Sequence, residues 1–242
     1  LEDLLNERLD LECSISEQPE LEKRARSICT AARKAGLGHL DYSAHKLIFS
    51  AFGASDSAYP NPIPYLCENR VTVSPPTLCG TIHGQLDTER VVVEKSGRTL
   101  VVDFGKSGMG PLVRDFSTFE SCVKFDVLEG VSLARREELE RRLLAMSCLQ
   151  DSVDVRGLDP DVTKALEVIG EIRSQAAAVL GPDLEPYLVA LLYRATGRLV
   201  AHSPEVRYMR EEVVVFAHTL LSMAMICQQL FSWQDRLQNL PA

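Results

Sequence analysis

One short stretch decides most of what this chain can fold into. Arg90-Val91-Val92-Val93-Glu94 and Thr99-Leu100-Val101-Val102-Asp103 are β-branched runs joined by the turn formers Lys95-Ser96-Gly97-Arg98, a pattern that predicts a β-hairpin. The rest has no comparable β signal. Downstream, Asp115 is placed to cap a helix running through Leu128, and Ser132 to cap one reaching about Leu149, with Glu137 and Arg141 as an i,i+4 pair. Asp161 opens a helix through Leu180 that Gly181-Pro182 stops, and Leu184 to about Ala201 follows. From about Met209 to Trp233, Val213, Phe216, Ala217, Leu220, Leu221, Ala224, Cys227 and Phe231 make a broad apolar stripe.

Upstream the signals are weaker. Residues 1–18 are acidic and leucine-rich, a tether or a short helix. Pro19 opens a helix whose apolar face is Leu21, Ala25, Ile28 and Ala32, stopped at Gly36 and Gly38. A second short helix is expected from Tyr42 to Phe52, ended by Gly53, then a proline-rich loop over 54–66 and a short strand at Arg70–Ser74. The expected class is α+β, mostly α: a hairpin packed among helices, with residues 1–78 as a helical and loop segment packing on a lobe of residues 79–242.

Charge and cysteine content narrow the partners. Lys+Arg 26 against Asp+Glu 34 leaves a formal charge of −8, which argues against nucleic acid as a main ligand because phosphate binding needs a basic footprint. Mean hydropathy is −0.03, and the apolar stretch Val213–Ile226 is interrupted by His218, Thr219 and Ser222, so no membrane association is expected. There is no basic, apolar leader at Leu1, and the sequence reads as a piece of a longer polypeptide. The seven cysteines are odd in number and none forms a C-x-x-C pair; reduced, buried, structural thiols are expected, and with them a cytoplasmic location.

The hairpin is bracketed by two polar motifs. His83-Gly84-Gln85-Leu86-Asp87 precedes it and Asp103-Phe104-Gly105 ends it. This arrangement resembles the aminoglycoside-phosphotransferase and protein-kinase-like superfamily, in which H-G-D-L-H-x-x-N, a short hairpin and D-F-G follow one another. The likeness runs from about Thr81 to Asp115. The longer stretch from Asp103 through Phe125 is similar to the kinase-like ternary-complex-associated domains of bacterial conflict-system and STAND-type NTPase proteins. In all, the resemblance covers roughly residues 80–230. It implies a kinase-like C-terminal lobe and, in active relatives, ATP and Mg²⁺. In such sites a loop Asp accepts the substrate proton, while an Asn and the D-F-G Asp hold metal.

Here the chain departs from the pattern. Gln85 stands at the proton-acceptor position, and an amide takes no proton near neutral pH. Arg90 stands where the family has its metal-binding Asn, a cation in place of a cation ligand. Asp87 replaces the second His, and Asp103 alone remains as a metal ligand. The residues before His83 carry no Gly-rich phosphate loop and no V-A-x-K-like strand, so the small nucleotide-binding lobe is missing or replaced. Gly36-Leu37-Gly38 reads as a helix stop.

Each candidate also has an ordinary reading. His83 either orients the loop or packs there. Asp103 either binds metal or braces backbone, and Asp87 either substitutes as base or plays no chemical part. Asp115 is an N-cap or a brace for the D-F-G turn; Gly105, Gly108 and Gly110 permit backbone turns. His202 and His218 read as ordinary helical residues, and Arg135, Arg136, Arg141 and Arg142 with Glu137, Glu138 and Glu140 as a solvated, salt-bridged face. The resulting expectation is a degenerate kinase-like lobe without cofactor, acting through other domains or subunits of a multidomain protein. The alternative is an active ATP- and Mg²⁺-dependent phosphotransferase using Asp103 and Asp87, and a helical scaffold is the third reading.

Overall fold

The computed structural model describes residues 41, 44–63, 77–128, 130–201 and 210–238; the helix at Pro19 and the strand at Arg70–Ser74 lie outside these residues. The fold is mostly helical, with small two-stranded antiparallel sheets. The expected hairpin is present as β4 (Val91–Val93) and β5 (Thr99–Val101), its turn carrying Gly97 at φ 84°.

Two further strand pairs were not expected. β1 (Lys46–Ile48) pairs with β2 (Ala58–Pro60), where the sequence suggested a helix over Tyr42–Phe52. The segment alternates instead: Lys46 and Ile48 face solvent while Leu47 is buried opposite Tyr59, which is strand periodicity. One 3₁₀ turn at Ser50–Phe52 follows, and Gly53, at φ 83°, ends it as expected of a glycine. The second unexpected pair is β3 (Cys79–Ile82) with β6 (Gly108–Pro111), which encloses the β4–β5 hairpin in sequence. β6 reads Gly-Met-Gly-Pro, without the β-branched signature of a strand. Gly110 is required there by close approach rather than by a turn: a Cβ on it would lie 2.7 Å from Ile82 Cδ1.

The helices follow the sequence reading closely. α1 (Val113–Cys122) continues through a π-helical turn at Val123–Val127. α2 (Leu133–Leu144) has Ser132 at its N-cap position and stops short of Leu149. α3 (Pro160–Leu180) starts with Asp159, whose carboxylate accepts from the Asp161 amide at 3.0 Å, and ends at Gly181. α4 (Glu185–Ala201) and α5 (Arg210–Gln238) complete the bundle.

The main core joins α4 and α5 to the β1–β2 pair, through Leu188, Leu192, Leu220 and Leu221 with Leu47, Phe49 and Tyr59. Leu192 and Leu220 are both 0% exposed; burying such a side chain is worth roughly 1.5–3 kcal/mol. A second cluster, including Leu139, Leu143, Leu166 and Ile169, sits between α2 and α3. The Glu211–Ser232 part of α5 is long and apolar enough to cross a membrane by length and composition, yet 78% of it is buried within the fold. It is the central core helix.

The charged residues of α2 correct the sequence reading. Arg136, Glu137 and Glu140 are buried, at 0%, 2% and 1% exposure. Such charges persist inside only when paired and hydrogen-bonded, and each is. Glu137 accepts from the Ser55 amide and hydroxyl and from Tyr59 Oη at 2.7 Å, while Arg141 lies 3.3 Å away. Glu140 bridges Lys124 and His218. Only the outer rank, Glu138 with Arg141 and Arg142, forms the expected surface network.

Candidate functional site

The loop leaving β3 is held from below by Asp115. Its Oδ2 accepts from the His83 amide at 2.6 Å and its Oδ1 from the Gly84 amide at 2.9 Å. Asp115 reaches them because α1 begins at Val113, with Leu112 at the cap position, three residues earlier than expected. It therefore sits inside the first turn, where the helix dipole favours a carboxylate, and braces the loop rather than capping its own helix.

His83 is buried, and its Nε2 lies 2.9 Å from the carbonyl oxygen of Val102 at the end of β5. That carbonyl can only accept, so Nε2 is the donor. Nδ1 is buried and makes no hydrogen bond. Phe104 covers the imidazole with ring centroids 5.0 Å apart, and the Ser107 hydroxyl donates to the His83 carbonyl at 3.4 Å. His83 thus fastens the front of the hairpin to its back.

Gly84 is the loop residue that sequence reasoning missed. It has φ +83°, and a Cβ on it would meet the Lys106 carbonyl oxygen at 2.3 Å. A glycine following the His was visible in the sequence, but nothing local showed that Lys106 would press against it. Gly105, Gly108 and Gly110, expected to permit turns, all lie outside the positive-φ set.

Arg90 organises the acidic residues. A 3₁₀ turn at Thr88–Arg90, begun by Asp87 accepting from the Glu89 amide at 3.1 Å, points the Arg90 side chain back across the loop. One guanidinium nitrogen donates to Asp87 Oδ2, and Nε donates to Asp103 Oδ2 at 3.0 Å. Arg90 and Asp87 are 17% and 21% exposed, Asp103 60%. Asp103 occupies the left-handed region at φ 63°, the single non-glycine residue to do so among those described, a conformation that Asp tolerates better than most. Gln85 is half-buried in the same loop.

Chemically, this is an acidic pair bridged by one guanidinium, which offsets one of its two negative charges. With its positive charge spread over two carboxylates, Arg90 fills the position a divalent cation would need, and each carboxylate has spent an oxygen on it. The residues present therefore do not fit Mg²⁺ as they stand. Among the described residues no group of three or more His, Cys, Asp or Glu side chains is placed to hold a metal ion.

The structure thus defines a mostly helical α+β domain built around a braced loop and hairpin whose two acidic side chains are bridged by one guanidinium. A family model described as "Ternary complex associated domain 9" matches residues 15–196, and the chain belongs to that family. No curated protein and no solved structure matches it.

Proposed function

We propose that this domain is a catalytically degenerate kinase-like lobe that works by association within a larger multidomain assembly, in the cytoplasm. The observation that carries the reading is Arg90, whose guanidinium holds both Asp87 and Asp103. An active phosphotransferase on this scaffold would need Asp103 for metal and, with an amide at position 85, Asp87 for proton transfer; here their charge holds the loop together instead. The loop, hairpin and D-F-G turn keep the order found in kinase-like domains, which supports descent from one. The family description, ternary complex associated, supports association as the task. Free thiols at Cys122, Cys148 and Cys227 suit a reducing compartment.

Calorimetric titration of the full chain with Mg²⁺ and ATP tests the reading. No binding heat is expected, and low-micromolar nucleotide affinity overturns it. A Mn²⁺ titration of Arg90→Asn against wild type tests the same point from the other side. Binding is expected only in the variant, where the two carboxylates lose their cation; equal Mn²⁺ binding by both proteins removes Arg90 as the cause.

A further inference from the structure

Six of the ten large apolar residues that stand exposed among the described residues lie between positions 92 and 109: Val92, Val93, Val101, Val102, Phe104 and Met109, at 38–65% exposure. They sit on and beside the β4–β5 hairpin. Its ladder pairs Val91 with Val101, Val92 with Leu100 and Val93 with Thr99. The Glu94 amide donates to the Arg98 carbonyl at 2.9 Å, and the Val102 amide to the Arg90 carbonyl at 3.0 Å. Because hydrogen-bonded and non-bonded pairs alternate along an antiparallel ladder, the backbone groups of Val91, Val93, Thr99 and Val101 point outward. No third strand meets either edge among the described residues. A two-strand ribbon of three residues each is marginal by itself, and a bare edge is a template for another strand.

Charge separates the two edges. β4 is flanked by Glu89 and Glu94, and Arg90, next to it, is already engaged by Asp87 and Asp103. β5 is flanked by Lys95 and Arg98 at one end and Lys106 beyond the other, all exposed and without an ion pair among the described residues. Of the carboxylates near it, Asp103 is held by Arg90, and Glu94, across the hairpin from Arg98, is a single negative charge against Lys95, Arg98 and Lys106. In a chain of formal charge −8, the β5 edge is a local cationic and apolar strip.

We propose that the outer edge of β5 docks an extended, acidic segment of a partner protein, which adds to the hairpin as a third strand. Main-chain hydrogen bonds to Thr99 and Val101 supply the affinity. Alternating side chains supply the selectivity, apolar ones meeting the exposed valines and carboxylates meeting Lys95, Arg98 and Lys106. The inference rests on the reading of the domain as an association module and names the surface it uses.

Fluorescence anisotropy of a labelled octapeptide alternating valine and glutamate, titrated with the full chain, tests it. Saturable binding is expected, at least tenfold tighter than for the valine–lysine counterpart. Val101→Pro should weaken binding at least tenfold while Val93→Pro leaves it unchanged. Both prolines replace amides that face outward, so neither removes a ladder bond. A Lys95→Glu/Arg98→Glu variant, altered only at exposed side chains, should lose at least tenfold with its circular dichroism and melting unchanged. No binding by wild type, equal binding of the lysine peptide, or full binding by the double variant overturns the proposal. So does a dimer in sedimentation that Val101→Pro dissociates, since the occupant is then a second copy. Mg²⁺–ATP binding in the same samples overturns the function proposed above whatever the peptides do, whereas peptide failure in a nucleotide-silent domain overturns only the edge.

Discussion

Arg173 grips Glu120 with both arms of its guanidinium, Nε at 2.9 Å and Nη2 at 2.8 Å from the two carboxylate oxygens, and both residues are at most 1% exposed. The pair joins α3 to α1 beneath the braced loop. Nη1 of the same arginine donates to the Leu143 carbonyl at 2.9 Å, which ties in α2, and the guanidinium lies over the Tyr187 ring of α4. Removing one partner leaves a buried charge without compensation, so Glu120→Ala or Arg173→Ala should each destabilise by roughly 3–5 kcal/mol in urea unfolding. The double replacement Glu120→Leu/Arg173→Met removes both charges and should cost less than either single change.

Acid should weaken the fold in two windows. His218 is fully buried, with Nε2 2.9 Å from Glu140 Oε1 and Nδ1 3.4 Å from an Arg136 nitrogen; Lys124 and the Phe125 ring complete its surroundings. Burial lowers its pKa to about 4, and the attraction of Glu140 does not offset this against Arg136 and Lys124. The unfolded imidazole titrates near 6.5, so the unfolded chain takes up the proton first. Stability is therefore lost as pH falls from about 6.5 to about 4, by roughly 3 kcal/mol. Burial would raise the Glu140 carboxyl, but Lys124 and His218 overcome it and hold it at about 2. A further loss then follows below pH 4.5. Melting temperature against pH for wild type and His218→Gln checks this: the variant should lack the upper limb and keep the lower one.

Gly84 and Gly97 differ in surroundings, not in backbone. Both have positive φ, 83° and 84°, but only Gly84 has an obstacle, the Lys106 carbonyl, while Gly97 faces open space. Gly97→Ala should cost about 1–2 kcal/mol, the conformational penalty alone. Gly84→Ala should cost at least about 3 kcal/mol, since strain and steric clash combine. Paired thermal melts decide; equal losses would place the loop free of Lys106.

Asp115 should matter to the loop more than to its helix. Asp115→Ala strips acceptors from the His83 and Gly84 amides, a loss of roughly 2–4 kcal/mol for two bonds to a charged group. Asp115→Asn keeps one acceptor and should lose less. Hydrogen exchange at residues 83 and 84 should accelerate in both variants, while the amides of α1 beyond its first turn remain protected.

The parts of this fold legible in the sequence share a short range. The β4–β5 hairpin is legible in a four-residue turn between valine runs, and α3 in Asp161 at its start and Gly181-Pro182 at its end, although the observed cap is Asp159, two residues earlier. β3 and β6 escape a local reading because Ile82 pairs with Gly108 across the whole hairpin, and because β3 is only four residues long with Gly80 inside it while β6 is Gly-Met-Gly-Pro. β1 was taken for helix because three residues are too few to separate a period of two from one of 3.6. Of the candidate site, the residue types at positions 85 and 90 are plain in the sequence, whereas the brace from Asp115 and the clash that reserves position 84 for glycine are not.

Arg136, Glu137 and Glu140 show why the division falls there. Alternating charges on a helix are read as a solvated face, because i,i+4 pairing accounts for them without any other element. Their burial follows from residues far along the chain: Lys124, Ser222 and His218 around Glu140, Ser55 and Tyr59 around Glu137. By itself, the sequence determined which segments turn, extend or coil, since these depend on neighbours a few bonds away, and which side chains carry charge, the guanidinium at position 90 among them. Only the tertiary structure decided where those charges go, because desolvation and pairing depend on which distant backbone and side chains close around them.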